Sequence, residues 1–213
     1  MNSNSVEIKN LTKEISGNII LNDISCTLEL GKIYGIVGKN GSGKSMLIKA
    51  IAGLLLPTKG SIKVFDEEIV NGNLPKDIGV LFDNVGLLEQ YSALENLKIL
   101  ASINNKIDED HIKNLLDYIG LTSEDNRPVK KYSLGMKQKV GIVQAIMEDP
   151  NIIMLDEPMN GLDEHSVELI RKLIIELKKK GKTIILTSHN KEDIDLLCDI
   201  VYKMDFGVLK KEG

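Results

Sequence analysis

The 213-residue sequence predicts an α/β fold in which an antiparallel β subdomain and an inserted helical subdomain accompany the α/β core. Short apolar strands alternate with amphipathic helices, which is the pattern of an α/β core. Two segments near the N-terminus alternate apolar and polar residues, as half-buried antiparallel strands do. Residues 93–148 contain helix-like segments and no good strand candidate. We therefore expect one domain over residues 1–213, with the helical subdomain at about residues 84–148.

The N-terminal part of the chain supplies most of the strand candidates, at residues 6–11, 19–30, 33–37, 61–65 and 78–82. The first two are the alternating segments. Residues 33–37 read IYGIV, a continuous apolar run that is typical of a fully buried strand. This run leads through GKNGSGKS into a helical pattern at residues 44–55.

The rest of the chain begins with helices and then returns to the α/β alternation. Three helix candidates lie in the predicted helical subdomain, at residues 93–103, 109–120 and 134–147. Ser133 fits the N-cap of the third helix, because its hydroxyl can accept a hydrogen bond from the first turn. The core resumes with candidate strands at residues 152–156, 183–188 and 199–204, and with candidate helices at residues 164–180 and near 191–198.

Composition and charge limit the classes of function that we expect for this chain. The chain is 42% hydrophobic and carries a net charge of −4, with a pI near 5.5. Proteins that bind nucleic acid usually present a basic face, so we expect no nucleic-acid partner. No stretch approaches the roughly 20 apolar residues that span a bilayer. The N-terminus lacks the basic start and apolar run of a signal peptide, and we therefore expect a cytoplasmic protein.

The segment GKNGSGKS at residues 38–45 matches the phosphate-loop pattern G-x-x-x-x-G-K-[ST] between a predicted strand and a predicted helix. Its glycines permit positive φ angles, so that consecutive N–H groups can surround a phosphate. We expect Lys44 to reach the β- and γ-phosphates of ATP, and Ser45 to ligate Mg²⁺. A glycine-rich turn is the alternative, but a chance match in such a chain is on the order of one in a hundred. The predicted nucleotide contacts here are Gly38, Lys39, Asn40, Gly41, Ser42, Gly43, Lys44, Ser45 and Met46.

A pair of acids ends the apolar run IIMLDEP. Asp156 and Glu157 come at the carboxyl end of a predicted strand, where ligands bind in open parallel sheets. Asp156 is suited to hold Mg²⁺ through water, and Glu157 to polarise the attacking water. Alone, two acids at a strand end would carry no functional meaning, but together with a phosphate loop they predict a hydrolytic site.

The order GKNGSGKS, YSLGMKQK, MLDEPMNGLD and TSH resembles the ATP-binding subunits of ABC transporters over nearly the whole chain. The resemblance implies a P-loop NTPase (ABC ATPase) core that binds ATP and Mg²⁺. It implies catalytic roles for Lys44, for Glu157 and for His189, the last as the switch histidine that senses the γ-phosphate. By itself, His189 would be interpreted as a capping residue.

The resemblance also implies a head-to-tail dimer that closes on ATP. YSLGMKQK occupies the place of the family's LSGGQ signature, so Ser133 and Gly135 are expected to bind the γ-phosphate held by Lys44 of a second copy. Residues 160–163 would form the D-loop, which adds Asp163 to the nucleotide contacts.

Three positions depart from the family pattern. Ile15 stands where an aromatic ring usually stacks on adenine, so adenine recognition is expected to be weak. Asp83 replaces the Q-loop glutamine and is expected to face the nucleotide and its metal. Leu134 replaces the first glycine of the signature, while Ser133 and Gly135 remain.

An acid at the Q-loop, then ALENL and SLGMKQ, resemble the bacitracin- and lantibiotic-type peptide export and immunity ATPases. That narrower resemblance implies a separate permease of the ABC-2 type, an ATP-bound homodimer, and a place on the inner face of the cell membrane. The alternative is a soluble ABC-type ATPase of DNA repair or cofactor assembly. Zinc cysteines or long coiled-coil insertions are usual in repair and chromosome members, and the sequence contains neither.

Overall fold

The computed structural model describes residues 4–70, 73–83 and 85–212. The predicted start of the helical subdomain at residue 84 and both predicted ends of the domain lie outside the described residues. The strands are β1 (Asn4–Ile15), β2 (Asn18–Glu29), β3 (Ile33–Val37), β4 (Lys59–Val64), β5 (Glu67–Glu68), β6 (Ile78–Leu81), β7 (Ile152–Leu155), β8 (Thr183–Thr187), β9 (Ile200–Asp205) and β10 (Val208–Lys211). The helices are α1 (Lys44–Ile51), α2 (Ala93–Asn104), α3 (Glu109–Tyr118), α4 (Leu134–Ile146), α5 (Glu164–Lys179) and α6 (Lys191–Leu197), with a 3₁₀ turn at Val129–Lys131.

The predicted antiparallel subdomain is a sheet in the order β2-β1-β4-β5. Its first strand is longer than the sequence pattern predicts, because pairing with β2 continues through Lys13 and Glu14 to the turn at Ser16 and Gly17. Helix α1, in contrast, is shorter than predicted. It stops at Ile51 because Gly53 adopts a left-handed conformation, with φ of 76°, which ends the helical hydrogen bonding.

A second sheet has the order β10-β9-β3-β8-β7-β6. Strands β9, β3, β8, β7 and β6 run parallel, so their carboxyl ends share one edge. Strand β10 pairs antiparallel with β9 through a two-residue turn and was not predicted. Successive side chains of β7 point to opposite faces: Ile153 enters the core that contains α2–α5, and Met154 enters the core that contains α1. The parallel sheet therefore separates two apolar cores.

The described residues between β6 and β7 contain helices and no strand, as predicted for an inserted helical subdomain. Helix α4 packs on β6 and β7 and also contacts α2 and α3, so it joins this subdomain to the core. Side chains cap all three helices at their N-termini, from Ser92, Asp108 and Ser133. Within the described ranges, no helix combines the length and apolarity required to cross a membrane.

Candidate functional site

Four parallel strands deliver the predicted chemical groups to one edge of the sheet. Strand β3 leads into the phosphate loop, β7 ends at Asp156 and Glu157, β8 leads to His189, and β6 leads to Asp83. Because these strands are neighbours in the sheet, segments far apart in the chain meet at their carboxyl ends.

The phosphate loop leaves the start of α1 open. Gly43 is the N-cap residue in a left-handed conformation, and it makes no side-chain cap. An ideal Cβ at Gly43 would lie 3.2 Å from the carbonyl oxygen of Ile20, so a larger residue would disturb the contact with β2. The buried Ser42 hydroxyl has no hydrogen-bond partner among the described residues. Uncapped N–H groups at a helix N-terminus, beside an unpaired hydroxyl, fit a phosphate group.

Lys44 lies buried at the centre of this edge. Its Nζ donates a hydrogen bond of 2.9 Å to the carbonyl oxygen of Gly38. The same Nζ lies 3.4 Å from Oε1 of Glu157, and both side chains are mostly buried. A lysine and a carboxylate held this close in a buried position attract each other strongly. The structure therefore brings Lys44 and Glu157, two residues from separate sequence motifs, into contact.

The backbone of Glu157 is fixed from two sides. Its φ of 50° is left-handed, a conformation that costs energy for a residue with a side chain. Its N–H donates to Oγ1 of Thr187 at 2.8 Å, and its carbonyl oxygen accepts from Nε2 of Gln138 at 3.0 Å. These bonds direct the carboxylate toward the phosphate loop, where Oε2 lies 3.0 Å from Nδ1 of His189.

Asp156 is 1% exposed and its Oδ1 accepts a hydrogen bond of 2.7 Å from Oγ1 of Thr187. Thr187 thus orients both acids, and sequence reasoning missed it, as it missed Gln138. No group of three or more His, Cys, Asp and Glu side chains suited to a metal occurs in the described part of the chain. Mg²⁺ usually takes one or two carboxylates together with water and phosphate oxygens, so a hydroxyl from Ser45 and a carboxylate from Asp156 fit that ion.

These residues surround a cavity of about 330 Å³. Most of the predicted nucleotide contacts line it, together with the predicted catalytic residues and Asp83. The lining residues are Ile20, Lys39, Asn40, Gly41, Ser42, Gly43, Lys44, Ser45, Met46, Asp83, Glu157, Asn160 and His189. Gly38 does not line the cavity. Its carbonyl oxygen accepts the hydrogen bond from Lys44 instead.

Besides Gly38 and the predicted metal ligand Asp156, three predicted nucleotide contacts do not line this cavity. Ser133 accepts a hydrogen bond from the Met136 N–H at 3.2 Å and so caps α4. Gly135 packs against the D-loop, where an ideal Cβ would lie 2.5 Å from the Gly161 carbonyl oxygen. Asp163 caps α5, and hydrogen bonds from Ser166 lower the pKa of its carboxyl below the usual value. The signature and the D-loop thus contact each other in one chain, and of the two only the D-loop reaches the phosphate cavity, through Asn160.

Ile15 also lies outside the cavity wall. It is 41% exposed at the end of β1, whereas Ile20 from β2 lines the cavity. The described wall contains no phenylalanine, tyrosine or tryptophan.

This fold and this edge of the sheet define a class: a P-loop NTPase with an inserted helical subdomain. Comparison with known proteins identifies the family, since residues 21–160 match the family described as ABC transporter. The ABC transporter ATP-binding protein YybJ of Bacillus subtilis (strain 168) is 45% identical over 206 residues, which cover 96% of this chain and 94% of that protein. The chain therefore belongs to the ABC transporter family, as an ATP-binding subunit.

Two further relatives belong to the bacitracin- and lantibiotic-type ATPases that the sequence resembles. The bacitracin transport ATP-binding protein BcrA of Enterococcus faecalis is 34% identical, with 97% of this chain and 68% of that protein covered. The lantibiotic transport ATP-binding protein SrtF of Streptococcus pyogenes is 36% identical, with 92% and 85% covered.

Among solved structures, the ATP-binding cassette MJ0796 in a dimeric post-hydrolysis state with ADP and Pi has a TM-score of 0.88. It is 25% identical, and the match covers 97% of each chain. The family and this neighbour establish the chain as an ATP hydrolase.

Proposed function

We propose that the chain powers export of a peptide or antibiotic-like compound through a separate membrane permease of the ABC-2 type. Two relatives carry the names of bacitracin and lantibiotic transport proteins, which supports this class of substrate. The chain would act as a homodimer, at the cytoplasmic face of the membrane. The observation that carries its ATPase role is the contact of Glu157 with both Lys44 and His189 beside an open helix N-terminus.

Phosphate binding would begin at the phosphate loop. The N–H groups at the start of α1 and the ammonium of Lys44 attract the negative phosphates. The 3.4 Å contact between Lys44 and Glu157 must open for the γ-phosphate to approach Lys44, because the three groups meet in one small space. Lys44 then exchanges a carboxylate for phosphate oxygens, and its charge remains paired.

Glu157 would act as the general base for the attacking water. Its carboxylate lies at the cavity wall, and its backbone bonds to Thr187 and Gln138 hold it in place during the reaction. His189 would hold the carboxylate through Nδ1 and contact the γ-phosphate through its other ring nitrogen. A base within hydrogen-bond reach of the water that it deprotonates commonly contributes about 10² to 10⁴ in rate.

Ser45, Asp156 and Asp83 would hold the metal. The ion that these residues would hold would supply positive charge to offset the negative charge of the phosphates. Thr187 fixes the Asp156 carboxylate through its 2.7 Å hydrogen bond, so that this acid is oriented before metal binds. Asp83 is exposed at the cavity wall, where it would reach the metal through water.

The glutamine variant of Glu157 tests the catalytic proposal. Glu157→Gln keeps the size of the side chain but cannot accept a proton, so hydrolysis should fall by about 100-fold or more while ATP still binds. The loss of one negative charge should also favour an ATP-bound dimer, which size exclusion would detect. Glu164→Gln removes an exposed acid in the first turn of α5 and serves as the matched control with near-wild-type turnover.

Export is tested in cells. A strain that produces only the Glu157→Gln protein should be as sensitive to the exported peptide as a deletion strain, and wild-type protein should restore resistance. Bacitracin and a lantibiotic are the first compounds to measure. Equal resistance in all three strains, for both compounds, would reject this substrate class and leave the ATPase proposal intact.

A further inference from the structure

The cavity has a well-formed phosphate end but lacks an aromatic wall for the base of a nucleotide. Ile20 is the large apolar side chain that β2 contributes there, and Ile15 is outside the wall. An aliphatic side chain supplies apolar area without the stacking geometry of an aromatic ring. A ring from another element would complete the site, if one lies close enough.

The turn between β9 and β10 lies directly against the phosphate loop. The N–H of Gly207 donates a 2.9 Å hydrogen bond to the carbonyl oxygen of Ser42, and its own carbonyl oxygen accepts one of 2.9 Å from Asn22. An ideal Cβ at Gly207 would lie 2.5 Å from the carbonyl oxygen of Ile20. This turn therefore contacts both the phosphate loop and the strand that carries the apolar wall.

Phe206 occupies this turn at an unfavourable position. Phe206 and Gly207 are the two central residues of a hairpin that closes at Asp205 and Val208, and both have positive φ, 44° and 77°. Such turns favour asparagine, aspartate or glycine, and a bulky residue there is uncommon. The Phe206 side chain is also 88% exposed, so the strain is not offset by burial of the ring.

Phe65 provides the comparison within the same chain. It too is the first central residue of a two-residue hairpin turn, between β4 and β5, with φ of 48°. Its ring, however, is partly buried and packs against the core that contains α1. Packing explains a phenylalanine at position 65, whereas the described structure offers no such explanation at position 206.

We infer that the ring of Phe206 is the stacking surface for the adenine of bound ATP, in place of the aromatic residue missing at Ile15. The inference rests on the proposed phosphate site, because the phosphate loop fixes where the base emerges. Phe206 would cover the base from the side of the β9–β10 turn, and Ile20 would contact its apolar edge.

A tryptophan reporter gives a direct test, because the chain contains no tryptophan. Phe206→Trp places a single indole at the proposed stacking position, and ATP or ADP should quench its emission with saturation. Tripolyphosphate, which lacks a base, should occupy the phosphate loop and leave the emission nearly unchanged. Ile103→Trp, at a 73% exposed position on α2, is the matched control and should respond to none of the three.

Affinity provides the second readout. Stacking of a base on an aromatic side chain implies that Phe206→Ala should raise the Kd for ATP about tenfold. Phe206→Tyr should stay near the wild-type value, and none of these variants should change the Kd for tripolyphosphate. Equal quenching by tripolyphosphate, no quenching by ATP, or an unchanged Kd in Phe206→Ala would each overturn the inference.

The two proposals fail in different ways. If Phe206→Ala binds ATP like wild type while Lys44→Ala does not, the stacking role is wrong and the phosphate site stands. If Lys44→Ala binds ATP and tripolyphosphate as tightly as wild type, the phosphate site itself is wrong and the stacking role loses its basis.

Discussion

The N-termini of α1 and α4 differ from those of the other helices. Helices α2, α3, α5 and α6 each carry an acidic residue in the first turn, which complements the positive end of the helix dipole. Neither α1 nor α4 has one, among the six helices described. Both helix ends are therefore left attractive to an external anion.

These two helix ends differ from each other in position and in capping. The start of α1 has no side-chain cap and opens into the cavity with Lys44 and Glu157. The start of α4 is capped by Ser133 and contacts the D-loop rather than the cavity. We therefore propose that one end meets its phosphate within the chain, and that the other binds a phosphate presented by a second copy. Ser133 would then serve both as a cap and as a ligand.

The largest loss of ATP hydrolysis should come from two variants, one that disables the start of α1 and one that disables the start of α4. Lys44→Ala and Ser133→Arg should each reduce ATP hydrolysis to background, the first by removing the phosphate contact and the second by blocking the signature. When the purified variants are mixed, a head-to-tail dimer contains one intact site, with Lys44 from one chain and Ser133 from the other. Steady-state ATPase assays of the mixture should therefore recover measurable activity.

The same mixture needs an assay of ATP-induced dimer formation, since strict coupling of the two sites would silence a mixed dimer. Restored turnover supports the trans arrangement. No turnover together with no ATP-induced dimer would count against it, because both residues would then serve one site within a chain.

The order of strands and helices follows from the sequence, but the shortest strands do not. Apolar periodicity identifies every strand of four or more residues except β10, whose sequence VLKK has too few apolar residues to form a pattern. Strand β5 consists of Glu67 and Glu68 and exists only because β4 offers its edge. Such short strands depend on a tertiary partner, which a local pattern does not contain.

The residues of the candidate site also fall into two groups, those that the sequence predicts and those that it does not. Motifs predict Lys44 and Glu157, because their spacing and context are specific. Thr187 and Gln138 lie inside the quoted segments TSH and YSLGMKQK, but the resemblance assigns roles there to His189, Ser133 and Gly135 and none to these two side chains. Their contacts with Asp156 and Glu157 depend on β7 lying beside β8 and on α4 packing nearby, which only the assembled sheet reveals.

A smaller loss of ATP hydrolysis should follow from a change in packing at the start of α4. Gly135→Ala places a Cβ 2.5 Å from the carbonyl oxygen of Gly161, which forces the signature and the D-loop apart. Because small misplacements of binding groups are costly, kcat should fall by about tenfold. Gly86→Ala is the control, since an ideal Cβ at Gly86 has no atom within 4 Å and kcat should change less than about twofold. Similar kcat values for both variants would show that the contact with the D-loop does not matter.

The smallest loss of ATP hydrolysis should come from Ser133→Ala. This variant separates the capping role of Ser133 from its proposed role as a ligand. Ser133→Ala removes the hydroxyl that accepts from Met136, and Ser92→Ala removes the equivalent cap of α2. Each change should lower the free energy of unfolding by about 1 kcal/mol, measured by urea denaturation. Only Ser133→Ala should also lower ATP hydrolysis, by about three- to tenfold, because a hydrogen bond to a charged phosphate contributes roughly 1 kcal/mol or more. If the two variants lose stability equally and both keep wild-type turnover, Ser133 is a cap alone, and the start of α4 differs from that of α1 in function as well as in position.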